Sequence, residues 1–592
     1  MSLIPTCSVI GHVDVGKTSF LDYFKQKKTN EVRGITQQLT VYSYDKSHLS
    51  ECVDNPSFND NFKLDGLIFI DTPGHEYFSQ MRTITSSISH LVIVMIDIIK
   101  GIEPTHIEIL KYLRESHIDF IIVLNKMDRI FDWVPKEKQS LKNTFRFQKK
   151  EAISKLNTYS NNIVCQLAEN EINACLYYNN TDYKTFISMV PLSSKSGEGI
   201  SDLLMVISKI MEKKSKLFEK APFYKDIRGF VVDSKIDSKF GKIFTIITHS
   251  EFKEYETFTL IKRNNKIIQL KIKHIIQNDI RSNSIQKENV AYFMMEDKTI
   301  EMDSGDIIIT DNCERKYSEL ILSQISLNFN DYEEETYNTA ENVTDYEEKL
   351  KLDKYGICII SLSKMMHGAL YKMFRTDMNT PISICTVDKL NKNTIIKVIN
   401  NNTVSKNDKL LDKKYNYNRV IVIFEPVLKE NNIDKELLDF ATQNKITIIG
   451  SNSIYRLKEK YQKYCQDISN GIKLEYAGLM DCEIEIVPNC IFLKGSPLLI
   501  GFKVKKGVLN IGTKIKATSS KGNVVVLGIV RSIEKDKKAI QSAQLNDEVC
   551  VKIEALDKKI TYKVDFDETY KFETYRTKED EMVMKMFQNE LK

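Results

Sequence analysis

Five hundred and ninety-two residues, at roughly 150 per domain, suggest about four folding units and exclude a lone small binding module. Hydrophobic residues at 42%, charged residues at 28%, a mean hydropathy of -0.30 and only 22 Gly and 11 Pro describe a globular chain, which excludes collagen-like, Pro-rich and Gly/Ser-linker compositions. Lys+Arg number 85 against 80 Asp+Glu, a net charge of +5, so the chain is no histone-like polycation and any nucleic-acid contact must use local patches.

The 11 cysteines run from Cys7 to Cys550 without a C-x-x-C pair, which predicts reduced, mostly buried thiols of a cytosolic protein rather than a zinc or redox site. The start, MSLIPTCSVIGH, lacks the basic and apolar regions of a signal peptide. The longest apolar stretch, Leu91 to Ile99, is interrupted by Asp97 and falls far short of the ~20 residues a membrane helix needs. A cytoplasmic protein that neither crosses a membrane nor is exported is expected.

Taken in chain order, residues 1–218 alternate short β-rich runs (Leu67 to Ile70, Leu91 to Ile96, Phe120 to Leu124) with longer helical patterns, which predicts a mostly parallel sheet in an α/β domain. Residues 222–315 change to short alternating segments such as Lys242 to Thr248 and Thr257 to Ile261, the texture of an antiparallel barrel. A connector over 316–345 contains the acidic run Asp331 to Glu335. Residues 346–452 read strand, helix, strand, helix: Gly356 to Leu362, Lys364 to Phe374, Tyr417 to Phe424 and Asp434 to Gln443, a small α/β/α domain. Over 453–477, Ile454, Leu457, Tyr461 and Tyr464 form one apolar stripe on a polar helix. Residues 478–592 read as a second barrel, with Gly501, Gly507 and Gly512 at turn-like positions. It ends in a short helix, Thr577 to Leu591, whose apolar face is Met582, Val583, Met586 and Phe587.

Gly11-His12-Val13-Asp14-Val15-Gly16-Lys17-Thr18 satisfies G-x-x-x-x-G-K-[ST] between an apolar strand and the helical Ser19 to Lys27, the context of a P-loop. Its glycines let several N–H groups converge on one anion, and the helix adds its positive N-terminal end. Lys17 suits the β and γ phosphates, and Thr18 suits Mg²⁺. Asp14, Val15, Gly16 and Ser19 complete the cradle. Asp71-Thr72-Pro73-Gly74 follows a strand, with Asp71 placed for the Mg²⁺ shell and the Gly74 N–H for the γ-phosphate. In Asn125-Lys126-Met127-Asp128, an aspartate can accept both guanine N1–H and N2–H₂, a pair adenine cannot offer. Ser193-Ser194-Lys195 supplies the last base contact. Four segments in this order indicate GTP, with ATP as the alternative. Gly34-Ile35-Thr36 lies where a switch loop closes Thr36 over Mg²⁺.

With Gly11-His12-Val13-Asp14, Gly34-Ile35-Thr36 and Asp71-Thr72-Pro73-Gly74-His75 in view, the chain resembles the translational GTPases. Arg33-Gly34-Ile35-Thr36-Gln37-Gln38, His75-Glu76-Tyr77-Phe78, Asp97 to Pro104, Asn125 to Arg129, Lys184 to Ser188, Gly501 to Thr513 and Val549 to Glu554 narrow the resemblance to the family of initiation factors five-B and two. It implies a multidomain α/β and β fold: P-loop GTPase domain, β-barrel, α/β/α domain, long connecting helix and terminal β-barrel. It also implies a GTPase that joins ribosomal subunits while stabilising initiator methionyl-tRNA, then hydrolyses GTP to GDP and leaves.

The resemblance further implies that His75 positions the attacking water once the ribosome orders it, with Lys17, Thr36 and Gly74 beside it. Val13 and Ile35 either flank that water or simply pack the switch. Mg²⁺ would be held by Thr18, Thr36 and Asp71, and a K⁺ or Na⁺ ion by Asp14 and the Gly34 carbonyl, in place of an arginine finger. The implied partners are both ribosomal subunits with their rRNA, the initiator tRNA and initiation factor one-A, for a factor that is monomeric off the ribosome.

Departures from the family pattern are Arg33 in place of a glycine, Ser194 in place of alanine, and the missing Gly-Asp turn near Glu254 to Glu256. The P-loop already begins at Gly11, without the long charged N-terminal extension of many members before it, as expected of either a trimmed chain or a compact lineage, and the short C-terminal end predicts a weakened contact with factor one-A. Lys503, Lys505, Lys506, Lys514 and Lys516 suit either RNA phosphates or a solvated strand face. An elongation or organellar initiation GTPase and a non-catalytic GTP-gated scaffold are the competing readings.

Overall fold

In a computed structural model the protein is described over residues 4–25, 39–75, 78–183, 185–218, 227–237, 239–262, 266–277, 280–297, 299–310, 352–387, 389–401, 419–424, 435–556 and 560–586. The connector at 316–345, its acidic run, Gly34 and Thr36 lie outside these residues. The chain divides into two compact units, Met1–Asn402 with Arg419–Leu457, and Thr403–Asn418 with Lys458–Lys592.

The first unit opens with seven strands: β1 (Thr6–Gly11), β2 (Thr40–Asp45), β3 (Gly66–Asp71), β4 (Leu91–Asp97), β5 (Phe120–Asn125), β6 (Ala174–Leu176) and β7 (Ile187–Pro191), in the order β2-β3-β1-β4-β5-β7-β6. Only β2 runs antiparallel, to β3. The strands β1, β3, β4 and β5 are buried along their whole length, as continuous apolar runs covered by helices on both faces must be. Those helices pack one core on each face. One includes Phe20, Phe24, Phe69 and Leu203, and the other includes Leu110, Ile122, Leu124 and Leu156. Because β1, β3, β4 and β5 are parallel, their C-terminal ends come to one edge, where α/β sheets hold ligands.

The first barrel closes six antiparallel strands in the order Thr257–Ile261, Ile307–Ile309, Ile227–Asp237, Gly241–Thr248, Asn289–Met295 and Ile267–Gln277, the last pairing back to the first. It packs on the GTPase-like domain through Val232 and Ile247 against Ile68, Ile70 and Ile88. His90 and His249 meet edge-on in this seam, 5.7 Å apart at 90°.

Four parallel strands, Ile382–Val387, Ile357–Ser361, Val420–Phe424 and Thr447–Ser451 in spatial order, form the α/β/α domain. The helix read as Lys364 to Phe374 is an α-helix over Lys364–Lys372 that widens into a π turn, Met373–Asp377. This domain is spliced to the barrel. Lys235 and Ser363 form a β-bridge, Ile236 N–H donates to the Leu362 carbonyl at 2.9 Å, and the Ser363 hydroxyl lies 3.0 and 2.9 Å from the two Asp233 carboxylate oxygens.

The connecting helix is Ile454–Glu475. Ile454, Leu457 and Tyr461 are buried and Tyr464 is partly so, so the predicted stripe forms its packed face. Within the second unit a six-stranded barrel closes in the order Lys514–Thr518, Lys571–Thr574, Cys482–Leu493, Leu498–Gly507, Glu548–Glu554 and Val524–Lys535. Gly507 and Gly512 have φ of +74° and +91°, consistent with turns. Gly501 does not sit in a turn. It lies inside a strand opposite Cys550, and a Cβ there would stand 2.6 Å from Cys490 Cβ, so the glycine leaves room for a side chain crossing its strand.

The terminal helix runs Lys578–Met586. Val583 packs against Ile472 with Met584 beside it, whereas Met582 is 63% exposed. The predicted apolar face is therefore rotated: the Lys514–Asp580 ion pair at 2.7 Å and the reciprocal Thr577–Asp580 cap fix the helix with Met582 outward. Phe587 lies outside the described residues. The described cysteines are all free, but only five of them are buried, while Cys165 and Cys465 are exposed. Among the described residues no helix is long and apolar enough to cross a membrane.

Candidate nucleotide site

The site is assembled at the shared edge of β1, β3, β4 and β5. The parallel register sets Val9 beside Asp71 and Gly11 beside Met95, so the P-loop leaves β1 next to the carboxylate that ends β3. The loop turns through positive φ at Asp14 (63°) and Gly16 (98°) and enters the helix Lys17–Lys25. Gly16 has a further reason to lack a side chain, since a Cβ would come within 2.4 Å of Asn125 Nδ2.

Lys17 is folded onto its own loop, its ammonium donating to the carbonyls of Gly11 (2.8 Å) and His12 (2.7 Å). Burial pushes this ammonium down to about 8, although Asp71 and Asp14 pull upward. Gly74 lies against it, where a Cβ would stand 2.4 Å from Lys17 Nζ. The Thr18 hydroxyl-bearing side chain and Asp71 are buried in the same edge. Thr72 fastens the following turn by donating to the Val9 carbonyl at 2.7 Å. Ser19 is exposed on the first turn of the helix.

The three base-side segments are tied to one another and to the P-loop. Asn125 donates to the Val15 carbonyl at 2.8 Å and accepts from Ser194 N–H and its hydroxyl, both at 3.0 Å. The Ser193 hydroxyl donates to Asp128 at 2.7 Å, and the Lys195 N–H lies 3.3 Å from the same hydroxyl. Lys126, with φ of +67°, bonds the Asp14 carbonyl and pairs with Asp97 at 2.9 Å. Burial alone would raise the Asp97 carboxyl, but Lys126 and the N–H groups of Ile99 and Lys100 hold it below the usual range. Asp128 is thereby held through one carboxylate oxygen beside Ser193.

His75 stands just past Gly74, with its carbonyl held by Arg82 at 2.6 Å. Its ring lies edge-on to Tyr455 of the connecting helix, with centroids 5.3 Å apart. Arg82, only 4% exposed, also donates to the Pro73 carbonyl at 3.3 Å and so braces the turn that carries Gly74 and His75. Arg82 and His106, whose ring lies 3.0 Å from the Met95 carbonyl beneath the P-loop, escape motif reading, and Asp97 enters it only within the Asp97 to Pro104 segment, with no role of its own. Asp97 carries a signal, being the lone charge in an apolar strand; the other two carry none.

The donor set fits the ligands implied by the motifs. Thr18 and Asp71 offer a hydroxyl and a carboxylate, hard oxygen donors of the type Mg²⁺ takes. A Cβ at Gly74 would meet Lys17 Nζ and, at 2.9 Å, the Gly11 carbonyl, and one at Gly16 would meet Asn125, so at both positions the bare backbone lines the loop, the condition for wrapping a phosphate. Among the described residues there is no group of three or more His, Cys, Asp and Glu that could hold a metal ion.

Residues 22–213 match the elongation factor Tu GTP binding domain and residues 481–562 match elongation factor Tu domain 4. The first match spans most of the domain that carries the phosphate and base segments, and the second lies in the terminal barrel. Across 97% of its length it is 28% identical to eukaryotic translation initiation factor 5B of Dictyostelium discoideum, and across 93% it is 27% identical to that of Homo sapiens. It is 26% identical over 93% to the probable translation initiation factor IF-2 of Methanosarcina mazei, covering 89% of that protein. Over most of its length the chain is thus similar to translation initiation factors 5B and IF-2. It covers 53% and 44% of the Dictyostelium and human factors, so it spans about half the length of these relatives. The crystal structure of GDP-bound aIF5B from Aeropyrum pernix aligns with 99% of this chain and 94% of its own, at 20% identity and a TM-score of 0.46.

Proposed function

We propose that this chain is a ribosome-dependent initiation GTPase that promotes subunit joining, stabilises initiator methionyl-tRNA and hydrolyses GTP to GDP and phosphate before release. The observation that carries the reading is the closed set of bonds from Val15 through Asn125 to Ser194, with Ser193 aiming Asp128. A guanine-selective site is wired directly to the phosphate loop. The domain 4 match at the far end of the chain supports a translation role.

In this reading Lys17 exchanges its two carbonyls for phosphate oxygens, and Gly74 N–H reports the γ-phosphate. Thr18, Thr36 and Asp71 hold Mg²⁺, which supplies charge neutralisation on the β and γ phosphates. Asp14 and the Gly34 carbonyl hold a monovalent cation. His75 orients water once it leaves Tyr455 for the reacting phosphate, a displacement that ribosome binding would drive. The partners are both ribosomal subunits and initiator tRNA.

Turnover of GTP with and without assembled subunits and initiator tRNA tests the reading. Stimulation of at least a hundredfold is expected for the native chain, together with loss of most of it, 10²–10³-fold, in His75→Ala. Equal turnover in the presence and absence of ribosomes would overturn it.

A further inference from the structure

Residues 129–155, from the end of the base segment into the helix Lys150–Glu169, hold eight Lys and Arg against three Asp and Glu, a net of +5 equal to that of the whole chain. The rest of the molecule is therefore electrically balanced, and this segment carries the surplus.

The segment is built to be rigid. Trp133 is buried with its indole N–H 3.4 Å from Glu198 Oε1. Gln148 accepts from Val134 N–H at 2.8 Å and donates to the Val134 carbonyl at 2.7 Å, clamping the loop to the short helical turns Leu141–Thr144 and Phe145–Phe147. On this base two phenyl rings stand in solvent, Phe131 69% and Phe147 57% exposed. Each is held on one face by an ammonium, Lys155 at 4.0 Å from the Phe131 centroid and Lys136 at 4.6 Å from that of Phe147. Around them Arg129, Lys142, Arg146 and Lys150 are exposed and form no ion pair with a described residue.

Two fixed rings with open faces among unpaired cations combine the two elements that bind unpaired nucleic acid: flat π platforms for bases and a positive track for phosphates. An acidic peptide would answer the charge but not the rings. We propose that the 129–155 surface binds single-stranded or looped RNA, with Phe131 and Phe147 stacking on bases and Lys142, Arg146 and Lys150 meeting phosphates. None of these side chains serves the nucleotide site. The inference stands apart from the initiation reading: RNA binding here without ribosome-stimulated turnover would sink only the latter, and the converse result only the former.

The test uses the full chain with bound GDP and a fluorescent uridine 20-mer, measuring anisotropy across a KCl series. Phe131→Ala with Phe147→Ala is expected to weaken binding about tenfold or more with the salt slope nearly unchanged. Lys142→Gln, Arg146→Gln and Lys150→Gln together should reduce that slope by about 2. Unchanged GDP affinity in both variants verifies the fold. Native-like RNA affinity in the double phenylalanine variant would overturn the proposal. So would competition by a poly-glutamate peptide as effective as by RNA of equal charge, which would make the surface a site for acidic protein, or equal affinity for duplex and single-stranded RNA, which would make it a charge contact alone.

Discussion

At the residue scale, Ser193 and Asp128 show how a short motif becomes a selective contact. The serine hydroxyl satisfies one carboxylate oxygen at 2.7 Å, and in the proposed guanine site a purine edge without two donors would leave a desolvated acceptor unpaired. Asp128→Asn should weaken GTP binding about 10- to 100-fold, in line with ~1.5–3 kcal/mol for a charged hydrogen bond, and calorimetric titration with GTP and ATP would show the preference for guanine collapsing. Lys17, Thr18, Asn125, Asp128 and Ser193 are legible in the sequence because loop spacing alone brings them to one edge. Arg82 is not legible: its role depends on a turn that presents the carbonyls of Pro73 and His75 to it, and nothing in its neighbours announces that fold. Asp97 is visible as an interruption of an apolar run, but its partner Lys126 follows the end of the neighbouring strand, brought there by the parallel register of Asp97 with Asn125.

At the element scale, alternation along a strand or helix predicts which positions are apolar but not what crosses them. Gly501 reads as a turn glycine until the neighbouring strand places Cys490 over it. Gly501→Val should destabilise the second barrel locally by about 1–3 kcal/mol through overpacking. Hydrogen exchange should register this as lost protection in Leu498–Gly507 and its neighbours, with the nucleotide-binding domain unaffected; unchanged protection would show that Cys490 gives way. The terminal helix teaches the same lesson. Periodicity offers Met582 and Val583 equally, and the rotation is decided by Asp580, whose carboxyl is held below its usual range, against the cost of its burial, by Lys514 and the Thr577 cap. A charge pair between two elements and a cap at the helix start settle the helix face, and no short window of sequence contains both Lys514 and Asp580.

At the scale of the whole molecule, the order of folds is legible because each domain type has its own hydrophobic period, 3.6 or 2, and because buried parallel strands read as unbroken apolar runs. The joints between domains are not legible, since they are made by residues that look ordinary within their own domain. His90 and His249 are such a pair. Burial pushes His90 down to about 3, with His249 and Lys214 adding to the effect, and pushes His249 down to about 4. Both folded-state values lie below the unfolded histidine value near 6.5, so the unfolded state binds protons first and stability falls as pH drops below about 6.5. The loss reaches up to about 1 kcal/mol per histidine by pH 5.5 and saturates near pH 3–4. Thermal melts between pH 7.5 and 5 should therefore show a falling midpoint that is flattened in a His90→Gln, His249→Gln double variant; an identical pH dependence in that variant would assign the effect elsewhere.

The splice between the first barrel and the α/β/α domain has a mechanical meaning. Where two domains meet only through side chains, a twist of one is absorbed by rotamers before it reaches the other. Here a barrel strand runs on into a bridge with the loop after a central strand of its neighbour, and the Ser363 hydroxyl donates its one proton to the Asp233 carboxylate. The joint has the stiffness of backbone, not of contact. A rotation imposed on the barrel therefore has a backbone route into the loop beside the parallel sheet.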